Sequence, residues 1–197
     1  MMIISRDSLR KSIREKRNKL SKDQQQRAGQ ELVNTFLQLD ELKASQHIAL
    51  YLSNDGELST QPLIEALWNI GKQIYLPILH PFSKGNLLFL TYEKSTQLIA
   101  NRYGILEPKL SQQEIKPVAE IDMICTPLVG FDDKGNRLGM GGGYYDRTLE
   151  NWQHGSKGPF PIGIAHDCQQ VDAIPTHSWD IPLPKLVTPS KIWQWNT

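Results

Sequence analysis

Two periods of apolar spacing run along this chain, and the switches between them predict an α/β order. Leu9, Ile13 and Leu20 share one face at helical spacing, so residues 6 to 20 are expected to form a first helix. Ser21-Lys-Asp-Gln24 has the form of a capping box and opens a second helix to Leu39. The apolar run from His47 to Leu52 predicts a buried strand. A helical segment from Gln61 to Ile70 follows, stopped by Gly71, and then a strand from Gln73 to Pro77. Leu87 to Tyr92 is a further strand after a turn at Ser83-Lys-Gly-Asn86. Strand Ile121 to Thr126, a glycine-rich loop, a helix from Tyr144 to Trp152 and strand Pro161 to Ala165 complete the alternation. This order predicts a single α/β domain over residues 1–197: a mostly parallel, Rossmann-like sheet with helices on both faces. Residues 5–40 are expected as two N-terminal helices packed on it. Ligands of such sheets lie beyond the carboxyl ends of strands. The segment Ser53 to Glu57 and the glycine loop both follow strands, so one crevice should hold both.

Composition narrows the class more than the fold. A chain of 197 residues with 39% hydrophobic and 22% charged residues can bury a core of ordinary size. The net charge of +1 supplies no general field for nucleic acid or an anionic membrane, so an anionic ligand needs a local site. No apolar run approaches the roughly 20 residues of a membrane span. The amino terminus is basic but lacks the apolar core of a signal peptide, and a cytoplasmic protein is expected. Cys125 and Cys168 form no CxxC pattern; reduced thiols are expected, with a disulfide left open.

The richest chemistry lies in Arg137-Leu-Gly-Met-Gly-Gly-Gly-Tyr-Tyr-Asp-Arg147, with four glycines in five positions. Bare backbone amides in such a loop suit an anion, and an ensuing helix would add its own free N–H groups. Arg137 and Arg147 bracket the loop with fixed charge, and Asp146 offers a hard oxygen for a magnesium ion. A glycine-rich surface turn remains the plain alternative. The string is neither a Walker A nor a dinucleotide fingerprint, which would need a glycine where Tyr144 stands.

In the first helix Arg6, Arg10, Arg14 and Arg17 fall within an arc of about 80°, beside the apolar stripe. Docked by that stripe, the helix would aim guanidinium forks along the seam, a geometry suited to phosphate. For Arg14 and Arg17 a solvated basic face is equally open. After the first strand, Asp55 reads best as a cap of the next helix, while Glu57 is open between ligand binding and structure. Tyr103 is either an aromatic wall or a packed loop tyrosine. Asp180 stands between Trp179 and a proline-fixed backbone. His47, His80, His154, His166 and His177 show no metal-ligand spacing and are expected to be structural. On residues alone, a sugar-phosphate isomerase and a non-catalytic phosphate- or RNA-binding module also remain open.

Taken in order, these pieces resemble the 5-formyltetrahydrofolate cyclo-ligase (methenyltetrahydrofolate synthetase) family. The resemblance runs from Ser8-Leu-Arg10 with Arg14 and Arg17, through Tyr51-Leu-Ser and Gly-Glu57, to Tyr103-Gly-Ile-Leu-Glu-Pro108 and Thr126-Pro-Leu-Val-Gly-Phe131. It continues through the Arg137–Arg147 loop to Gly163-Ile-Ala, Gln169 and Trp179-Asp-Ile-Pro-Leu183. It implies ATP- and Mg2+-dependent conversion of 5-formyltetrahydrofolate to 5,10-methenyltetrahydrofolate by a monomer acting on a reduced folate, without nucleic acid or membrane. It implies that Arg6 and Arg10 contact ATP. Arg137, Leu138, Gly139, Met140, Gly141, Gly142, Gly143, Tyr144 and Tyr145 then cradle its phosphates, and Asp146 and Asp180 hold the metal. Leu52, Glu57, Tyr103 and the backbone from Met140 to Tyr144 fall on the folate side, with Arg137, Arg147 and Glu57 as the catalytic groups. Some members carry lysine where this chain has Gly142, so the neutralising charge here falls to Arg137, Arg147 or the first helix. Arg6 likewise stands where lysine is also found.

Overall fold

The computed structural model describes residues 5–150, 152 and 158–195. Its helices are α1 (Arg6–Asn18), α2 (Lys22–Phe36), α3 (Glu41–Ala44), α4 (Gln61–Asn69) and α5 (Tyr144–Thr148). Its strands are β1 (His47–Ala49), β2 (Gln73–Leu79), β3 (Leu87–Thr91), β4 (Leu98–Ala100), β5 (Leu106–Pro108) and β6 (Ile115–Lys116). They continue with β7 (Met123–Pro127), β8 (Gly130–Phe131), β9 (Arg137–Leu138), β10 (Phe160–Ile164), β11 (Lys185–Val187) and β12 (Ile192–Gln194). Eight of these form one sheet in the order β12-β11-β10-β7-β1-β2-β3-β6.

The five central strands, β2, β1, β7, β10 and β11, are parallel, as the alternating pattern predicts. The rims turn antiparallel: β3 on β2, β6 on β3 and β12 on β11. The β2–β3 and β11–β12 links are short hairpin connections, and a parallel partner would need a crossover of a dozen residues or more.

Alternation along the strands sorts the core into two layers. Ile48, Leu50, Ile74, Leu76, Met123 and Cys125 pack with Leu32 and Phe36 of α2 and Leu63 and Leu67 of α4. The intervening Ala49, Tyr75 and Ile124 pack on the opposite face with Ile121 and Leu149. Only the first face carries long helices. The second is covered by α5, by a short 3-10 turn at Val118–Glu120 and by the chain around Ile181.

The end signals act where the sequence puts them. Ser21 and Gln24 form the reciprocal capping box of α2, and Gly71 leaves α4 at φ +77°. Two expectations need correction. A β8–β9 hairpin separates β7 from the glycine loop, which therefore follows a short antiparallel strand and not a strand of the main sheet. The helix after the loop ends at Thr148, short of Trp152, so it offers little dipole; Asn151 and His154 lie outside the described residues. Both cysteines are free, and burial pushes the Cys125 thiol up.

His166 adds a pH dependence to folding. Its ring is buried, and burial pushes its pKa down to about 4 against the opposing pull of the Gly56 backbone. Folding therefore keeps the neutral ring, whereas the unfolded chain takes up a proton near pH 6.5. Stability should fall as pH drops from about 6.5 to about 4, by up to about 3 kcal/mol from this group. Urea titrations across that range should show a shallower loss for His166→Gln than for the unmodified chain. Parallel curves would contradict the assignment.

Candidate active site

The first helix lies along the mouth of a cleft of about 1690 Å³ beyond the carboxyl ends of β1, β2 and β7. Pockets for a single small ligand run to roughly 300–1,000 Å³. This one has room for two.

Leu9 and Ile13 seat α1 on Val129, Leu138 and Ile174. That docking turns the arginine stripe into the cleft, whose lining includes Arg6, Arg10, Arg14 and Arg17. Arg6 donates to both oxygens of Asp180 and to the Pro175 carbonyl at 3.1 Å. Arg10 donates through Nε to the Gly139 carbonyl at 2.8 Å and also pairs with Asp7. Arg14 and Arg17 both pair with Asp55, at 2.7 and 2.9 Å. Arg17 has no exposed side-chain surface, which rules out the solvated face left open for it. Asp55 is no helix cap either. Thr60 stands at that position, without a side-chain capping bond, and Asp55 bonds instead to Arg14, Arg17 and Asn18. The bond from Arg14, joined by those from Arg17 and Asn18, outweighs partial burial and holds Asp55 below the usual carboxylate range.

Glu57 lies opposite the glycine loop, with a side chain 15% exposed. Its Oε2 accepts the Asn54 N–H at 3.1 Å, and its Oε1 lies 3.9 Å from Arg17. Burial pushes its pKa up, against the pull of the Asn54 amide and Arg17. Tyr51, buried, and Tyr145, half-buried, lie beside it, each with its phenol pushed up by desolvation first and by Glu57 second.

The loop needs its glycines. Gly141 and Gly143 sit at φ +98° and +64°, which side-chain-bearing residues avoid, and a Cβ on Gly142 would stand 2.8 Å from the Tyr144 ring. Arg137 enters beneath the loop with a side chain only 3% exposed. One arm of its guanidinium bonds Asp146, while Nη1 is buried without a partner among the described residues. An orphaned buried donor of this kind fits an incoming anion. Arg147 is more exposed and braces the loop, donating to the carbonyls of Gly142 and Gly85.

Leu138, expected in the cradle, is a correction. It packs against Leu9 and Ile13, because neighbours on a strand point to opposite sides and Arg137 takes the cleft side. Tyr145 lines the cleft but also packs on the core of the second sheet face. Leu52, Met140, Tyr103 and Tyr144 all line the cleft. Tyr103, 57% exposed, lies 3.4 Å hydroxyl to hydroxyl from Tyr144, and Arg102 donates to the same Tyr144 oxygen at 3.0 Å.

Asp146 and Asp180 stand on the Arg137 side, each occupied by an arginine. Burial opposes the charged form of Asp180, but bonds from Arg6 and the His177 amide keep it below the usual range. Among the described residues no cluster of three or more His, Cys, Asp or Glu forms a metal cage. Sequence reasoning missed Glu107, which holds the Leu79 amide and Asn101 at the cleft wall, and the stacked His177–Trp179 pair at its rim. Trp179, 66% exposed next to Asp180, was the available signal.

Comparisons with known proteins point to one family. Residues 3–189 match the model of the 5-formyltetrahydrofolate cyclo-ligase family. The 5-formyltetrahydrofolate cyclo-ligase of Escherichia coli K12 is 52% identical over 183 residues, 93% of this chain and 100% of that one. That of Haemophilus influenzae is 51% identical over 178 residues, 90% and 94% of the two chains. The solved structure of Aquifex aeolicus 5,10-methenyltetrahydrofolate synthetase superposes with a TM-score of 0.81 at 29% identity, covering 98% of this chain and 94% of its own. A 5,10-methenyltetrahydrofolate synthetase from Mycoplasma pneumoniae gives 0.71 at 26%, covering 94% and 99%. With its glycine loop, arginine helix and Glu57 turn meeting in one cleft, the chain belongs to the 5-formyltetrahydrofolate cyclo-ligase family.

Proposed function

We propose that this enzyme converts 5-formyltetrahydrofolate to 5,10-methenyltetrahydrofolate at the expense of ATP. A formamide oxygen is a very poor leaving group, so closure by the neighbouring nitrogen stalls at the tetrahedral stage. The formyl oxygen attacks the γ-phosphorus and the bond to ADP breaks. The neighbouring nitrogen then bonds the activated carbon, the carbon–oxygen bond breaks, and phosphate departs as that nitrogen loses its proton. ADP, phosphate and the methenyl product balance the reaction.

The protein's task in such a transfer is positioning and charge neutralisation. Arg137 supplies the buried charge, and its unpartnered Nη1 is the observation that carries the reading. Arg6, Arg10 and the loop from Gly139 to Tyr145 take the nucleotide side, with Arg147 bracing the loop. Leu52, Glu57, Tyr103 and the Met140–Tyr144 backbone take the folate, with Glu57 accepting from the pterin or the formamide region. Mg2+ suits the donors present: it is held by one or two carboxylates plus substrate phosphates and not by an all-protein cage. Asp146 and Asp180 are its candidates, and when bound it neutralises phosphate charge. The net charge of +1 offers no general field for nucleic acid or an anionic membrane, so neither is proposed as a partner. Among the described residues no helix is long and apolar enough to cross a membrane.

Purified protein given 5-formyltetrahydrofolate and magnesium-ATP should produce the methenyl chromophore and ADP in equal amounts. Absence of both in a folded sample overturns the proposal. Arg10→Ala should raise the KM for ATP by about 10- to 100-fold, since a bond to a charged group contributes about 1.5–3 kcal/mol. An unchanged ATP dependence would remove Arg10 from the nucleotide site.

A further inference from the structure

Arg17 is a fully buried cation at the far end of the α1 stripe from Arg6. Its Nε donates to the Asp55 carbonyl at 2.8 Å, its Nη2 to the Asp55 carboxylate at 2.9 Å, and its Nη1 to the Leu128 carbonyl at 3.5 Å. The same Nη1 lies 3.9 Å from Glu57. The turn it grips is unusual. Asp55 is the only non-glycine residue at positive φ among the described residues, at +50°, and Gly56 follows at +72°. A Cβ on Gly56 would stand 2.2 Å from the Asn18 side-chain oxygen, and Gln25 bridges the carbonyls of Arg17 and Gly56. A left-handed aspartate persists only where its surroundings hold it there. Here the end of α1 does so.

We propose that Arg17 is the positioning residue of the folate side, holding the Asp55–Glu57 turn so that the Glu57 carboxylate faces the cleft. The proposal rests on the folate reading of that side given above. Burying a cation costs several kcal/mol unless it is paired, and Asp55 is the partner that lets Arg17 sit buried beside Glu57. Fork geometry supplies one, because a single guanidinium fixes both a carbonyl and a carboxylate of the turn. Its charge supplies another. Glu57 faces Arg17 from α1, Asp55 and the Asn54 amide from its own turn, and the phenols of Tyr51 and Tyr145; Arg17 is the cation opposing the burial that drives Glu57 toward its neutral form.

The test pairs direct calorimetric binding of 5-formyltetrahydrofolate and of ATP with turnover against pH, for the unmodified chain, Arg17→Lys, Arg17→Gln and Asp55→Asn. Folate affinity should weaken by about tenfold in Arg17→Lys and Asp55→Asn, the scale of one lost charge-assisted bond, and further in Arg17→Gln. ATP affinity should stay within about twofold, because Arg6, Arg10 and the glycine loop are untouched. The acidic limb of kcat/KM for folate should move to higher pH in Arg17→Gln and stay in place in Arg17→Lys. If the Arg17 variants fail to fold, Asp55→Asn carries the affinity comparison. Folded variants with unchanged folate affinity, or equal loss for both ligands with a lowered melting temperature, overturn the proposal. Lack of turnover by the unmodified chain refutes the catalytic reading alone, since the binding comparison stands without it.

Discussion

Arg137→Met is expected to lower kcat by about 10²–10³, the usual cost of removing one preorganised donor from a developing charge. The folate Kd should change little. Arg137 has one arm on Asp146 and one buried nitrogen unmatched by any acceptor among the described residues. In the free enzyme that nitrogen is desolvated without compensation, and on the function proposed above its acceptor is the transferring phosphoryl group. Methionine fills a similar volume without charge, so the fold should survive, although Asp146 loses its partner. Single-turnover measurements at saturating ATP separate the outcomes. If kcat is retained and only the KM for ATP rises, Arg137 binds the ground state and does not assist transfer.

Asp146→Asn should carry the second largest loss, about a hundredfold in turnover, or about 2.7 kcal/mol of barrier. Alanine is the poorer probe, because it leaves Arg137 as an unpaired buried cation at a cost of about 3–5 kcal/mol in stability. Asparagine keeps an oxygen for the Arg137 fork but gives up the charge that a magnesium ion prefers. The magnesium concentration giving half-maximal turnover should rise, with folate binding preserved. If turnover falls while the magnesium dependence stays put, Asp146 serves Arg137 alone.

The centre of the fold was legible because short-range signals fixed it. The capping box at Ser21–Gln24, the stop at Gly71 and the apolar runs at 47–52 and 121–126 each act within a few residues. The two edges were not, since β6 and β12 are two and three residues long and gain stability only from neighbours already placed, and the short β11 beside β12 was missed with them. The same contrast divides the site. The glycine loop and the arginine stripe are visible as local composition. The roles of Asp55 and Arg17 depend on partners 38 positions apart, and a capping role was the nearest local use for the acid. Leu138 was mistaken for cradle because a motif lists residues in order, whereas a strand sends alternate side chains to opposite sides.

The bond between Arg6 and Asp180 spans 174 positions. During synthesis the first helix leaves the ribosome long before its acidic partner has been translated, so this end of the cleft is among the last parts to assemble. A chain cut short before residue 180 would retain four of the five parallel strands, yet Arg6 would lose its carboxylate and keep only the Pro175 carbonyl.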